Sequence, residues 1–300
     1  MTNSNRFSDL EIVTANTDAH WTAITEFLAA LPEEERADFD PSGVAMYQDL
    51  VAQGSIEIDL VFNPNLVALT IVALANNADG CSSPMIVVSP QARRTGLATH
   101  LLKRIADRLK ARGAIALTAM VPEDRAASRG FLASCGFEQD GIDYEMVAPV
   151  DSIEPIAIDG IKIAEWTEAD AETAQALARL YNVYLTRLGG MPEVTADGLL
   201  ERCARKSHRF MIAKHTGSQD VVGLLTFLDD YFVTATAVQR RYWGERVADA
   251  LVMELKRVAR DAGQTHLKSL VSASNAASLR LHRDVGAQCT RSLYRYKRPC

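Results

Sequence analysis

The feature that most constrains this chain is a faint internal repeat. Leu10-Glu-Ile-Val-Thr-Ala near the start resembles Ile161-Lys-Ile-Ala-Glu-Trp in mid-chain, 151 residues on, each an alternating strand pattern followed by an acidic cluster and a helix-like stretch. Gly96 of Arg93-Arg-Thr-Gly pairs with Gly244 of Arg241-Tyr-Trp-Gly at a distance of 148, and Gly136 of Ser-Cys-Gly-Phe with Gly286 of Asp-Val-Gly-Ala at 150. Ordered landmarks at nearly one spacing imply two copies of one supersecondary plan. The length of 300 residues agrees, at about 150 residues per domain. Two prolines interrupt the apolar periodicity in Ala148-Pro-Val-Asp-Ser-Ile-Glu-Pro155, so domains of residues 1–150 and 151–300 are expected.

Charge separates the same halves. Residues 1–150 hold 11 basic and 20 acidic side chains, a balance of −9, and the remainder holds 21 and 18, a balance of +3. The basic residues near the end, Arg291, Arg295, Lys297 and Arg298, alternate with Leu293, Tyr294 and Tyr296 as a half-buried strand does, so no nucleic-acid partner is expected. No apolar run reaches the roughly 18 residues that cross a bilayer. The polar start lacks a signal peptide's apolar stretch, and a cytoplasmic protein without a membrane partner is expected. The five cysteines are scattered with no CxxC pair, and the six histidines form no HExxH, so no metal is expected either.

Each half reads as an α/β unit. Ile56 to Phe62 and Leu66 to Leu74 are β-branched, apolar runs around Asn63-Pro-Asn65, a hairpin signature. Pro84 to Val88 gives another strand. Leu97, Leu101, Leu102, Ile105 and Leu109 then recur at helical spacing until Gly113. A strand over Ala114 to Val121 and a helix over Ala126 to Cys135, capped by Gly136, complete the half. The second half repeats this order with strands at Val221 to Phe227, Tyr231 to Val238 and His266 to Ser272. Its helices span Glu245 to Ala262 and begin again at Asn275.

Between strand and helix stands Gln91-Ala-Arg93-Arg94-Thr95-Gly96-Leu97-Ala98-Thr99. The first amides of a helix lack intrahelical partners and its dipole favours negative charge, so such a turn can hold an anion. Gly96 permits close backbone approach, and Arg93 and Arg94 can add charge-assisted hydrogen bonds to a pyrophosphate. There is no GxxxxGK[ST] and no GxGxxG after the opening strand, which counts against a nucleoside triphosphatase and a dinucleotide fold.

The stretch from Val88 to Leu102 resembles motif A, [QR]xxGx[GA], of the GCN5-related N-acetyltransferases (GNAT), and the likeness extends over both halves. It implies two tandem GNAT-like domains, each a mixed α+β sheet flanked by helices whose central strands splay to admit the pantetheine arm of acetyl-CoA. By that resemblance Ile86, Val87 and Val88 pair with the arm, and Arg93, Arg94, Thr95, Gly96, Leu97, Ala98 and Thr99 hold the pyrophosphate. The second copy, Gln239-Arg-Arg241-Tyr-Trp-Gly244-Glu-Arg246, puts Arg246 where the family keeps a small residue and so reads as the degenerate loop. Its later segment, Asn275-Ala-Ala-Ser278, fits the family's Asn-x-x-[SA] helix better than Arg125-Ala-Ala-Ser128 does.

Amine acylation needs a neutral amine and a proton donor for the departing thiolate. The resemblance puts that acid, often a tyrosine, four residues before the late glycine. Leu132 stands there in the first copy and His282 in the second. Tyr144 is the other candidate acid. The carboxylates available as base are Asp79, Glu123, Asp124, Asp229 and Asp230, each of which also fits a solvated turn or helix start. The resulting expectation is acetyl transfer from acetyl-CoA to a small primary amine, with the cofactor in the first domain and the chain acting as a monomeric pseudo-dimer or a homodimer. The rival is a non-catalytic acyl-CoA-binding or structural protein, favoured by Leu132, Arg125 and Arg246.

Overall fold

The computed structural model describes residues 7, 10–36, 44–74, 80–167, 170–188, 193–204 and 208–300. In chain order the elements are β1 (Glu11–Thr14), α1 (Asp18–Ala29), α2 (Glu33–Arg36), α3 (Val44–Ala52), β2 (Ile56–Asn63), β3 (Asn65–Ala73), β4 (Cys81–Ser82), β5 (Met85–Val88), α4 (Leu97–Ala111), β6 (Ala116–Pro122), α5 (Ala126–Ser134) and β7 (Glu138–Pro149). Then follow β8 (Ile161–Glu165), α6 (Ala171–Leu188), α7 (Ala196–Ala204), β9 (Arg209–His215), β10 (Val221–Phe227), β11 (Phe232–Val238), α8 (Val247–Asp261), β12 (His266–Ser272), α9 (Ala276–Asp284) and β13 (Gln288–Pro299).

The chain packs as two interleaved units. One comprises residues 1–119, 129–138 and 296–300, the other 120–128 and 139–295. In the first, β1, β2, β3 and β5 form an antiparallel sheet in that order. The hairpin pairs Asn63 with Asn65, as the Asn-Pro-Asn signature predicts. Ile58, Leu60, Leu69 and Val87 close one core against α1. Val61 and Ala68 meet Leu97 and Leu101 of α4 on the other side. The predicted apolar stripe of α4 (Leu97, Leu101, Leu102, Ile105, Leu109) is buried throughout. The last residues of β13 belong here: the Cys300 amide donates to Ile115 O at 3.0 Å, and Arg298 donates to Cys135 O at 2.9 Å.

The second unit has a mixed sheet in the order β13-β7-β12-β11-β10-β9-β8. Strand β7 enters it antiparallel to β12, pairing Asp143 with Ser272 and Pro149 with His266. Every residue of β10 is buried, which accounts for its unbroken apolar run. Gly223 on that strand lets α8 approach: a Cβ there would lie 3.0 Å from Val247 Cγ1. The pairing of β11 with β12 is parallel and short. It pairs Phe232 with Lys268 and Val233 with Ser269.

The two repeats match at one spacing. Helices α4 and α8, α5 and α9, and strands β7 and β13 begin and end 150 residues apart, and β1 and β8 start at the same interval. The short 3-10 turns ahead of α4 and α8, Pro90–Ala92 and Arg240–Tyr242, keep it too.

Candidate active site

The 150-residue spacing changes how the two loops correspond. It places Arg94 opposite Gly244 and Gly96 opposite Arg246, not Gly96 opposite Gly244 as the glycine match suggests. Backbone geometry agrees. Arg94 (φ 62°) and Gly244 (φ 91°) are both left-handed, and so are Gly96 (φ 90°) and Arg246 (φ 59°), each of the latter two standing at the N-cap of its helix. Arg93 Nε donates to Val88 O at 3.1 Å and Trp243 Nε1 to Val238 O at 2.9 Å, the same bond from matched positions. Each loop thus needs two left-handed residues and supplies glycine at only one. The first keeps the second glycine of the motif, and the second keeps the first.

In the first unit the loop residues lie together, but protein groups occupy their surroundings. Arg93 makes a bidentate pair with Glu35, at 2.8 and 2.6 Å. Thr95 Oγ1 donates to Ala92 O at 2.8 Å. Phe7 lies 3.7 Å from where a Gly96 Cβ would stand and 5.0 Å, centroid to centroid, from His100. Leu97 is buried, Ala98 is half-buried, and Arg94 and Thr99 are exposed. Ile86, Val87 and Val88 pair with Thr70, Leu69 and Ala68 of β3.

The second unit contains an open cavity of about 1860 Å³. It is lined by Val233 to Val238, the loop from Gln239 to Gly244, Arg246 and the first turn of α8, together with Ser269, Leu270, Ser278 and His282. It opens where β11 and β12 part beyond Val233 and Ser269. The β10–β11 ladder slips at this level: Thr226 faces Ala235 and Phe227 faces Val233, so Thr234 is bulged out of register. Thr234 Oγ1 bonds Thr226 Oγ1 at 2.6 Å and its carbonyl at 3.2 Å. Among the described residues, a Cβ on Gly244 would meet nothing within 4 Å, whereas one on Gly96 would lie 3.7 Å from Phe7. Gln239 Nε2 donates to Val221 O at 2.6 Å and anchors the start of the loop. Arg241 pairs with Asp220 at 3.1 Å, whose carboxyl is held below its usual range by hydrogen bonds from Ser218 and Arg241.

Within this lining His282 is held from both sides. Its Nδ1 lies 2.7 Å from Ser278 O and its Nε2 2.7 Å from Ser269 Oγ. A carbonyl oxygen has no proton to give, so Nδ1 carries the hydrogen and Nε2 accepts from the serine. Burial lowers the imidazole's proton affinity below its usual value, with the Ser278 carbonyl opposing. Asn275 caps α9 by accepting from the amide of Ser278 at 3.1 Å, the residue whose carbonyl orients the ring. At the other end of α9, buried Lys256 donates to Val285 O at 2.7 Å.

Tyr144 stands on β7 opposite Val271, in the second unit and outside the cavity lining. Asp230 Oδ1 accepts from Phe232 N at 3.1 Å as a turn carboxylate. Glu123 accepts from Tyr294 at 3.3 Å, Asp124 faces Arg291 at 3.6 Å, and Asp229 is exposed. Asp79 lies outside the described residues. Ser269 and Thr234 escaped the sequence reading. At the 150-residue spacing, Ala119 matches Ser269 and Leu132 matches His282, and this paired change was the available signal.

The model of the acetyltransferase (GNAT) family matches residues 21–137 and 174–287. The chain belongs to that family. Each GNAT repeat contributes one match, in keeping with the constant spacing of its elements. A GCN5-related N-acetyltransferase from Sphaerobacter thermophilus superposes with a TM-score of 0.74 at 17% identity, over 96% of this chain and 95% of that one. A tandem GNAT protein from the clavulanic acid biosynthesis pathway gives 0.75 at 15% identity, over 97% and 98%. At these identities the likeness is one of fold. No curated protein matches the chain. Among the described residues, no helix is long and apolar enough to cross a membrane, and no group of three metal-binding side chains converges.

Proposed function

We propose that this GNAT protein is an N-acyltransferase that takes an acetyl group from acetyl-CoA to a small primary amine. In this reading the cofactor lies in the cavity of the second unit, and residues 1–150 serve as a repeat whose own loop is self-occupied. The observation that carries it is the cavity itself, with a helix N-terminus and the open Gly244 turn at one end and the Ser269–His282 pair at the other. The pyrophosphate would meet the first amides of α8 with Arg240 and Arg246 nearby, and the thioester would reach the wedge between β11 and β12. This moves the proposed cofactor site from the loop at Arg93 to Thr99, where Glu35 and Phe7 stand.

A second reading keeps the pyrophosphate on that first loop, favoured by left-handed Gly96 at the N-cap of α4. It requires Phe7 and Glu35 to give way. The deciding experiment is a thermal-shift titration with acetyl-CoA on Gly244→Glu and Gly96→Glu, combined with free-thiol release over a panel of amines. Loss of the shift in Gly244→Glu alone supports the cavity, and loss in Gly96→Glu alone supports the first loop. A shift with no thiol release from any amine supports the non-catalytic alternative.

A further inference from the structure

Direct transfer from thioester to amine calls for a proton donor near the sulfur, and a lone histidine would serve. The wall of the cavity holds more than that. Ser269 donates to a histidine nitrogen whose lone pair is committed toward it, because the other ring nitrogen is spent on Ser278 O. Asn275 accepts from the amide of the same Ser278 and holds the first turn of α9. A hydroxyl, a base within 2.7 Å and a third group orienting the base make up an activated nucleophile. Ser269 also sits at the last paired position before β11 and β12 separate, and it lines the cavity there. The matched positions 150 residues earlier are Ala119 and Leu132, while Ser278 is matched by Ser128. The first repeat therefore lacks both reactive members and retains the accessory one.

We propose that Ser269 attacks the thioester carbonyl of acyl-CoA and carries the acyl group as a serine ester before the acceptor takes it. The proposal rests on acyl-CoA binding in the second unit's cavity. As the Oγ–C bond forms, the Ser269 proton passes to His282 Nε2. The C–S bond then breaks, and the leaving thiolate takes that proton from Nε2 to depart as free coenzyme A. A neutral amine next attacks the ester carbonyl, its surplus proton moves to Nε2 and on to Ser269 Oγ, and the C–O bond breaks to give the amide and the original serine. Nothing is oxidised or reduced. Burial favours the neutral imidazole, the form able to take the first proton.

The test needs no amine. Purified protein is first titrated with coenzyme A in a thermal-shift assay, then incubated with acetyl-CoA and isotopically labelled coenzyme A. Exchange of label into acetyl-CoA and the intact-protein mass are followed after acid quench. Exchange, or a mass gain of one acetyl group mapped to the peptide bearing Ser269, supports the proposal if Ser269→Ala abolishes it while retaining the coenzyme A shift and the wild-type circular dichroism. His282→Gln should slow exchange at least tenfold. A coenzyme A shift with neither exchange nor adduct overturns the acyl-serine and leaves the acyltransferase reading standing. Absence of any shift overturns both.

Discussion

The two strand-to-helix loops of this molecule share a backbone and differ in what surrounds it. Both run from a strand through a 3-10 turn to a helix with two left-handed residues at matched positions. Around the first, Glu35 pairs with Arg93, and the Phe7 ring stands beside Gly96. Around the second, Trp243 replaces Arg93, Gly244 has open space about it among the described residues, and a cavity opens. Motif quality in the sequence thus says little about whether a loop is available. Availability is decided by side chains 58 residues away or at the other end of the unit.

The sharpest break in the comparison is chemical. His282→Leu copies the first repeat's Leu132, and acyl-transfer turnover should fall by about 10²- to 10⁴-fold with acetyl-CoA binding retained. Leu132→Met, a volume-conserving change at a buried site, should leave the rate within twofold and cost less than about 1.5 kcal/mol. Steady-state rates alongside the thermal shift check both. Equal losses in the two variants would refute the assignment of chemistry to the second unit.

Next in size is the binding contrast. At acetyl-CoA one hundred times its dissociation constant, wild type should gain about 2.7 kcal/mol, and Gly244→Glu should lose all of it. Gly96→Glu should keep the gain; both variants place glutamate at a left-handed position (φ 90° and 91°) and lose stability for it, so the gain is read against each variant's own ligand-free midpoint. Calorimetry on wild type should find one equivalent per chain. Two equivalents would mean that Phe7 and Glu35 yield to the ligand.

Much of this was legible in the sequence, and the failures have physical causes. The stripe of α4, the hairpin at Asn63 to Asn65, strand β12 and the αL cap at Gly136 follow from periodicity and turn chemistry. Loop register was misread because glycine identity was taken as the landmark. The backbone repeats a left-handed conformation, and at one of the two positions in each loop that conformation falls on arginine. The hydrogen bond from Ser269 to His282 joins a strand to the following helix, and no spacing rule foretells it. Nor does local sequence reveal that Glu35 meets Arg93.

Acidity separates the units as well. His282 binds its proton more weakly folded than unfolded, so the unfolded state gains protons first as pH falls below the usual histidine value of 6.5. The contribution of this site to stability is complete above that value, shrinks below it, and levels off once pH passes the folded site's own lower pKa. Turnover that needs neutral His282 should fall over the lower part of the same window. His282→Gln should flatten its share of the stability profile in denaturant titrations from pH 7 to pH 5. His208, also lowered by burial, supplies a residual slope. An unchanged profile would place the neutral imidazole elsewhere.

Asn275→Ala tests the cap that orients Ser278 and hence His282. Its expected stability cost is about 1 kcal/mol. A purely structural cap would stop there, whereas a positioning residue should also lower kcat with little change in KM. The first repeat offers no equivalent, since Arg125 occupies the matched position.

The smallest effect is expected where the first loop is closed. Glu35→Gln removes a bidentate partner of Arg93, yet the pair's side chains are 39% and 24% exposed, so solvent screens it and the loss should be under about 1 kcal/mol. That loss should diminish further in 1 M salt, where the screening length falls to about 3 Å. The second repeat's Arg241–Asp220 pair, more exposed at 58% and 52%, should contribute less still when broken by Asp220→Asn. If breaking the Glu35 pair instead cost several kcal/mol, the carboxylate would be holding the first unit together, and the first loop would be a structural joint and not a closed binding site.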